Sequence, residues 1–420
     1  MKLKKKRRGT GLSRVRNYDA PQLDLELPEY SDGIEKNAYY MTVSRRYRTA
    51  RFATLMLLIL FMLIMMTVRR EDITLSNLQY LLRDINLSSG SGEAFSGVSY
   101  AAEPIQRFAV YRGELLYVTG RETKLFSATG GTGLSATISY EEPAISASDR
   151  YILVYDVGGY GYSIYNSFSE LLRSSSQYPI IAADMAGTGD FVIVSGSRER
   201  RATVTIYNGD FDKRSVIHKT DYVSGASLSE DGAVLAMTSF GVSGGSYYFD
   251  VSFYRVGEDA TYSTSHITGE YPLSVGRIGG GFYVITTESV YTYNMDGSQR
   301  GHYVHGGGLG KYSGSDSYLL LAIPTDTLGT ENRIVILDAD ANVCYNAVIE
   351  EKLVDAEVSG HGEAFLLSQG HAVMIDIAAG TEKTCTVGTG ARRLIPTGSK
   401  TALLCLSSSA ETIDFAHLSP

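Results

Sequence analysis

A chain of 420 residues with 44 Gly, 30 Tyr and no Trp has the composition of repeated short strands and turns, not of a helical bundle. Its formal net charge of −8 disfavours nucleic acid as a partner. Three cysteines, Cys344, Cys385 and Cys405, are too few and too odd in number for a disulfide framework, and each reads as a small apolar residue in a strand. Spacing alone leaves a Cys385–Cys405 bridge open.

Residues 1–51 hold thirteen Lys/Arg and six Asp/Glu, with Lys2-Leu3-Lys4-Lys5-Lys6-Arg7-Arg8 at the start and no apolar periodicity. Such a segment reads as a disordered cytoplasmic tail. Contact with anionic inner-leaflet lipid would use the charge, but setting topology during insertion explains it without a further assumption.

Phe52–Val68 is seventeen residues without a charge. As a helix it would extend roughly 26 Å, close to a hydrocarbon core of about 30 Å. The long preceding segment and the Arg69-Arg70-Glu71-Asp72 that follows do not fit a cleaved signal peptide. A single transmembrane helix is therefore expected at 52–68, with the lipid bilayer as its first partner. Arg45, Arg46, Arg48 and Arg51 abut the run, and the part beyond Arg70 carries a net charge of −17. The positive-inside rule then puts the N-terminus in the cytoplasm and the C-terminal domain outside the cell membrane.

Residues 69–96 follow as a juxtamembrane segment. Ile73–Ile85 reads as a short amphipathic helix, with Ser76 and Gln79 forming a capping box and Leu78, Leu81, Leu82 and Ile85 its apolar stripe. Ser88–Gly92 is a Ser/Gly linker.

From residue 97 to 420 the sequence repeats. A turn leads into an unbroken apolar run at Leu115–Val118, Tyr151–Val154, Phe191–Val194, Ala233–Ala236, Phe282–Ile285, Tyr318–Leu321, Ala364–Leu367 and Thr401–Leu404. These eight copies recur about every 41 residues. A second strand follows each run, for example Thr203–Tyr207 or Arg333–Leu337, then a turn such as Asn208-Gly209 or Asp296-Gly297 and a more polar strand. A weaker strand precedes each run, as at Val223–Leu228 and Leu353–Val358. Four strands per period of about 40–45 residues predict an all-β fold, a β-propeller. The unbroken runs fit strands covered on both faces by neighbouring blades.

The last copy stops after three strands: Ala391–Pro396, Thr401–Leu406 and Glu411–Phe415. Val98, Tyr100 and Ala102 alternate ahead of the first copy and would supply the missing edge. Eight blades closed by residues near 97–102 are expected, with seven as the alternative.

The order of basic tail, one apolar span, Ile73–Ile85 helix, Gly/Ser linker and propeller with Glu230-Asp231-Gly232-type turns resembles an uncharacterised clostridial family, domain of unknown function 5711. The resemblance covers the chain from about Arg51 onward. It implies a membrane-anchored propeller and carries over no catalytic residue. The turns also resemble those of WD40-like and quinoprotein-like propellers, where they punctuate the fold.

Chemistry-bearing motifs are few. Asp338-Ala339-Asp340-Ala341-Asn342 begins like a calcium loop, but Val343 stands where Gly is needed and Ile349 where a bidentate Glu is needed, so a hairpin turn explains it better. His302 and His305 would bind a metal only with further ligands. No Gly-x-Ser-x-Gly elbow occurs, and Gly279-Gly280-Gly281 lacks the Lys and Ser/Thr of a phosphate loop. The absence of Trp disfavours a quinone cofactor, so no cofactor, metal or catalytic residue is expected. The candidate interaction surface is Tyr160 and Tyr162, Arg198, Arg200 and Arg201, and Tyr247 and Tyr248, since Tyr and Arg are enriched at recognition surfaces. Blade packing and solvated loops explain the same residues more plainly.

Two functions follow as expectations. The first is a non-enzymatic binding or scaffold module at the cell envelope, recognising an envelope protein or a wall polymer. The second is an envelope glycan hydrolase or lyase with its site in the central funnel.

Overall fold

In a computed structural model of the chain, the described residues are 47, 49–61, 95 and 97–417. The basic tail up to residue 46, the latter part of Phe52–Val68, the Ile73–Ile85 helix and the Ser88–Gly92 linker lie outside them. Residues 49–61 are helical. Among the described residues no helix is long and apolar enough to cross a membrane.

Residues 98–414 form eight four-stranded antiparallel sheets. Blades 1 to 7 are residues 106–137, 143–175, 180–219, 222–268, 272–304, 311–349 and 353–386. Blade 8 takes three strands from residues 391–414 and its outermost strand from Val98–Ser99. The first strands of all eight successive blades lie side by side, blade 8 against blade 1 included, so they line a central channel and the ring is closed. The eight-bladed expectation holds, as does its closure by residues just after 97; the seven-bladed alternative is not realised.

The reason the second strands are unbroken apolar runs is visible in the core. Eight separate hydrophobic clusters fill the eight gaps between neighbouring blades. Alternate residues of one second strand serve two of them. Leu115 and Tyr117 pack toward blade 8, whereas Leu116 and Val118 pack toward blade 2. A strand with core on both faces cannot afford a polar side, which is why period-two alternation disappears there. The outer strands keep it: Thr381–Thr386 alternates between exposed and half-buried positions.

Closure rests on few residues. Val98 pairs with Ala410 and Ser99 with Ser409. The Phe95 N–H donates to Thr412 Oγ1 at 2.7 Å. The Tyr100 hydroxyl reaches the carbonyls of Leu406 and Ser409 at 2.7 and 2.6 Å, while its ring stacks on Tyr117 at 4.6 Å.

The cysteines divide. Cys405 is buried in the gap between blades 8 and 1, Cys385 is half-buried and Cys344 is exposed; all three are free thiols. The reading of each as a buried apolar residue is therefore correct for Cys405 and fails for Cys344, whose position in the outermost strand of blade 6, Val343–Ile349, faces solvent.

Strand direction gives the ring two faces. Turns between first and second strands, and between third and fourth, emerge on what we call the lower face. Turns between second and third strands, and the crossovers between blades, emerge on the upper face.

Candidate functional site

The channel wall is tied together by polar side chains placed one residue before the end of the first strands, where the chain turns at the lower face. Asp184 of blade 3 occupies this position. Its Oδ1 accepts from Ser146 Oγ of blade 2 at 3.1 Å. Its Oδ2 accepts from Ser227 Oγ and the Leu228 N–H of blade 4, and from Arg277 Nη1 of blade 5, at 2.9, 3.1 and 3.2 Å. Arg277 Nη1 also donates to the carbonyls of Met185 and Leu228. One carboxylate and one guanidinium thus link four blades.

A second cluster joins blades 6, 7 and 8. Ser313 Oγ donates to Glu357 Oε2 at 2.5 Å, Arg393 Nη2 donates to Glu357 Oε1 at 2.5 Å, and the Leu394 N–H donates to Asp355 Oδ2 at 3.0 Å. Burial pushes the Asp355 carboxyl up to about 6, with the neighbouring Glu357 charge adding to it and Arg393 opposing it. A carboxyl raised in the folded state stabilises the fold while protonated. That contribution is complete below the unfolded value of 3.8 and is lost as pH rises through about 6. Asp355→Asn should therefore flatten the fall in melting temperature across this interval and leave the protein at least as stable at neutral pH, because Glu357 still neutralises Arg393. Thermal melts of both forms at a series of pH values check this.

The upper face is different in kind. Fourteen large hydrophobic residues of the propeller are exposed, and twelve of them lie within two residues of an upper-face connection. All twelve belong to blades 2 to 6. An even scatter of single apolar residues would need no explanation; a one-sided sector does.

The sector is densest at blade 4. Its second and third strands, Val234–Ser243 and Ser246–Arg255, are ten residues each, against five or six in most other blades. Gly244 and Gly245 join them with φ of 60° and 83°, the left-handed pair that a tight hairpin turn requires. Val242 and Tyr247, 64% and 66% exposed, flank the tip. At its base an aromatic chain crosses three blades. Arg201 of blade 3 lies 4.4 Å over the Tyr222 ring. Tyr222 stacks on Phe240 at 5.5 Å, and Phe240 meets Tyr271 edge-on at 4.6 Å.

The residues singled out from sequence converge on this region, with one exception. Tyr160 is exposed in the upper-face turn of blade 2, and Arg198, Arg200 and Arg201 occupy the corresponding turn of blade 3. Tyr247 and Tyr248 lie on the blade 4 hairpin, where the Asp221 carboxylate holds the Tyr248 hydroxyl above its ordinary value. Tyr162 is buried, with Phe191 and Tyr207 about it at 6.1 and 6.3 Å, so its ring belongs to the gap between blades 2 and 3. Sequence reasoning missed Ile181, Tyr222, Tyr271 and Leu273, each within one residue of the start of a first strand. The hairpin tip was legible: Gly244-Gly245 between alternating apolar residues is a two-residue turn signal.

The remaining motifs are structural. Asp338 Oδ1 accepts from the N–H groups of Asp340 and Asn342, both at 2.8 Å, closing a hairpin turn. His302 stacks on Tyr291 at 4.4 Å, whereas His305 is buried with its ring nitrogens near the carbonyls of Gly307 and Thr286. Among the described residues no group of three or more His, Cys, Asp or Glu converges as a metal site would require.

Eight four-stranded blades around a channel, closed by one strand from the far end of the sequence, define an eight-bladed β-propeller. The chain belongs to the family of unknown function DUF5711, which it matches over residues 98–415. No curated protein matches the sequence. Among solved structures, the chain is similar to Saccharomyces cerevisiae Sqt1, with 12% identity and a TM-score of 0.56 over 76% of this chain and 99% of that one. It is also similar to BamB from Moraxella catarrhalis, with 9% identity and a TM-score of 0.51 over 75% and 99%. At these identities the likeness concerns the fold alone.

Proposed function

We propose that this protein is a single-pass membrane protein whose propeller stands outside the cell membrane and binds an envelope protein through the upper face of blades 2 to 6. The observation that carries the binding reading is the one-sided apolar sector, with exposed Tyr and Arg around a protruding hairpin. Interface centres are enriched in aromatic residues and arginine, and large rigid side chains bind with little loss of conformational freedom. The membrane reading is supported by the uncharged run Phe52–Val68, by the basic residues against it, and by the net charge of −17 beyond Arg70. It is supported too by the helix at 49–61, whose large apolar side chains, among them Phe52, Leu57 and Phe61, are exposed.

The channel carboxylates favour this reading over a glycan hydrolase or lyase. Asp184 and Glu357 spend both oxygens on arginine, hydroxyl or backbone N–H partners, and Asp355 gives Oδ2 to the Leu394 N–H, as parts of a wall would. An acid/base pair needs a carboxyl group free to exchange a proton with substrate.

The test is affinity capture from solubilised envelopes with the full chain and with a Val242→Asp/Tyr247→Ser double variant. The native face should retain a reproducible protein partner, and the variant should lose it by at least about tenfold, since central aromatic anchors carry most of the binding energy. Equal recovery by both forms would rule the face out.

A further inference from the structure

The channel interior contains a feature that a docking face does not require. Between the first strands of blades 3 to 6 lies a cavity of about 390 Å³, within the size range of small-molecule sites. Its wall is built from small residues, including Ala182, Ala183 and Gly225, and from the hydroxyl-bearing Ser224, Ser274 and Tyr283. The Asp184–Arg277 pair lies in the same wall, and Leu273 adds an apolar surface.

Tyr283 is the informative residue. It belongs to the second strand of blade 5, Gly281–Thr286, one layer back from the channel. Its ring passes between the first strands of blades 5 and 6, at Gly276 and Gly314. A Cβ on Gly276 would stand 2.6 Å from its ring and hydroxyl, and one on Gly314 would stand 2.8 Å from the hydroxyl. Neither glycine has a positive φ, so close approach, not backbone conformation, is what demands them. Two neighbouring strands therefore omit side chains where this tyrosine comes through, and its hydroxyl meets Ser274. Burial pushes that hydroxyl up to about 12, so it stays protonated and can donate. Phe would fill the same gap; filling space does not account for the oxygen.

We infer that this cavity binds a neutral, polyhydroxylated ligand of monosaccharide size, an envelope sugar unit, held through the hydroxyls of Ser274 and Tyr283 beside the Asp184–Arg277 pair. Hydroxyl side chains both donate and accept, which matches sugar hydroxyls. Arg277 is already paired with Asp184 and Glu230, and the wall also carries Asp316, so an anion is disfavoured there. Leu273 suits the C–H face of a sugar ring. The inference goes beyond the upper-face docking reading and shares only Leu273 with it.

The experiment is calorimetric titration of the full chain in detergent with glucose and N-acetylglucosamine, with glucuronate as the charged comparator. At least one neutral sugar should bind saturably with a Kd of about 1 mM or tighter. Tyr283→Phe and Ser274→Ala should each weaken it about tenfold, the loss of one well-made hydrogen bond, without moving the melting temperature by more than a few degrees. Glucuronate should bind more weakly, and Tyr247→Ser should leave sugar binding unchanged. No saturable binding of either neutral sugar, preference for glucuronate, or equal affinity in the Tyr283→Phe protein would show a solvent-filled channel and overturn the inference. The capture experiment would be untouched by that outcome, so the two readings fail separately.

Discussion

Replacing Val98 by Asp should destabilise the propeller by about 4 kcal/mol, far more than a typical single substitution. Val98 is fully buried, in the cluster that includes Leu115, Tyr117, Leu403 and Cys405. It is also one of only two residues in the strand that closes the ring. A carboxylate there would have no partner, and the residues that share its strand edge, Phe95 and Tyr100, lose their anchor with it. Phe95 and Tyr100 are themselves buried, so their release exposes blades 8 and 1 together. The expected readout is a lower and broader calorimetric transition, and a chain beginning after residue 100 should show the same defect. An unchanged transition in both would mean that the ring does not depend on its N-terminal closure.

Asp184→Ala is expected to cost about 3 kcal/mol, more than an exposed ion pair would. The substitution leaves Arg277 with the more distant Glu230 carboxylate, at 3.6 Å, and strips the Leu228 N–H and the Ser146 and Ser227 hydroxyls of their acceptor. Both ionised side chains retain some access to the channel, 20% and 24%, which keeps the cost below that of a fully buried pair. Asp184→Asn, which keeps one accepting oxygen where the carboxylate has two, should recover about half the loss. Denaturant unfolding of the three proteins measures it. A loss in Asp184→Ala no larger than about 0.5 kcal/mol would show that the four-blade link is ornamental.

How much of this was legible in the sequence follows from where each interaction sits along the chain. The second strands announced themselves because burial on both faces makes them unbroken apolar runs, Phe191–Val194 and Leu319–Leu321 among them. The count of eight and the shared closing strand followed from those runs and from a last copy with three strands, the third at Glu411–Phe415. The first strands hid their function. Lys311–Gly314 is four residues with one buried side chain, and Pro272–Ile278 carries an arginine amid small residues. Nothing local says that Arg277 meets Asp184, which is 93 residues away.

The binding sector was half legible for the same reason. Tyr160 and Arg201 stand in turns and Tyr247 beside one, which a repeat of known period places on one face. Tyr222 and Tyr271 begin or precede first strands; Tyr222 meets Phe240 by strand pairing within blade 4, and Tyr271 meets it from the crossover into blade 5. Tyr162 shows the limit from the other side. It is two residues from exposed Tyr160, yet it lies inside the third strand, which is covered on both faces, whereas Tyr160 stands in the turn before it.

The measurement that bears most directly on the account is site-specific photo-cross-linking in intact cells, with the reactive group placed in turn at Tyr247 on the upper face and at exposed Asp210 on the lower face. A reproducible protein adduct from position 247, with none from position 210, is the predicted result. Adducts of equal yield from both positions, or none from 247, would contradict the assignment of the upper face as the binding surface.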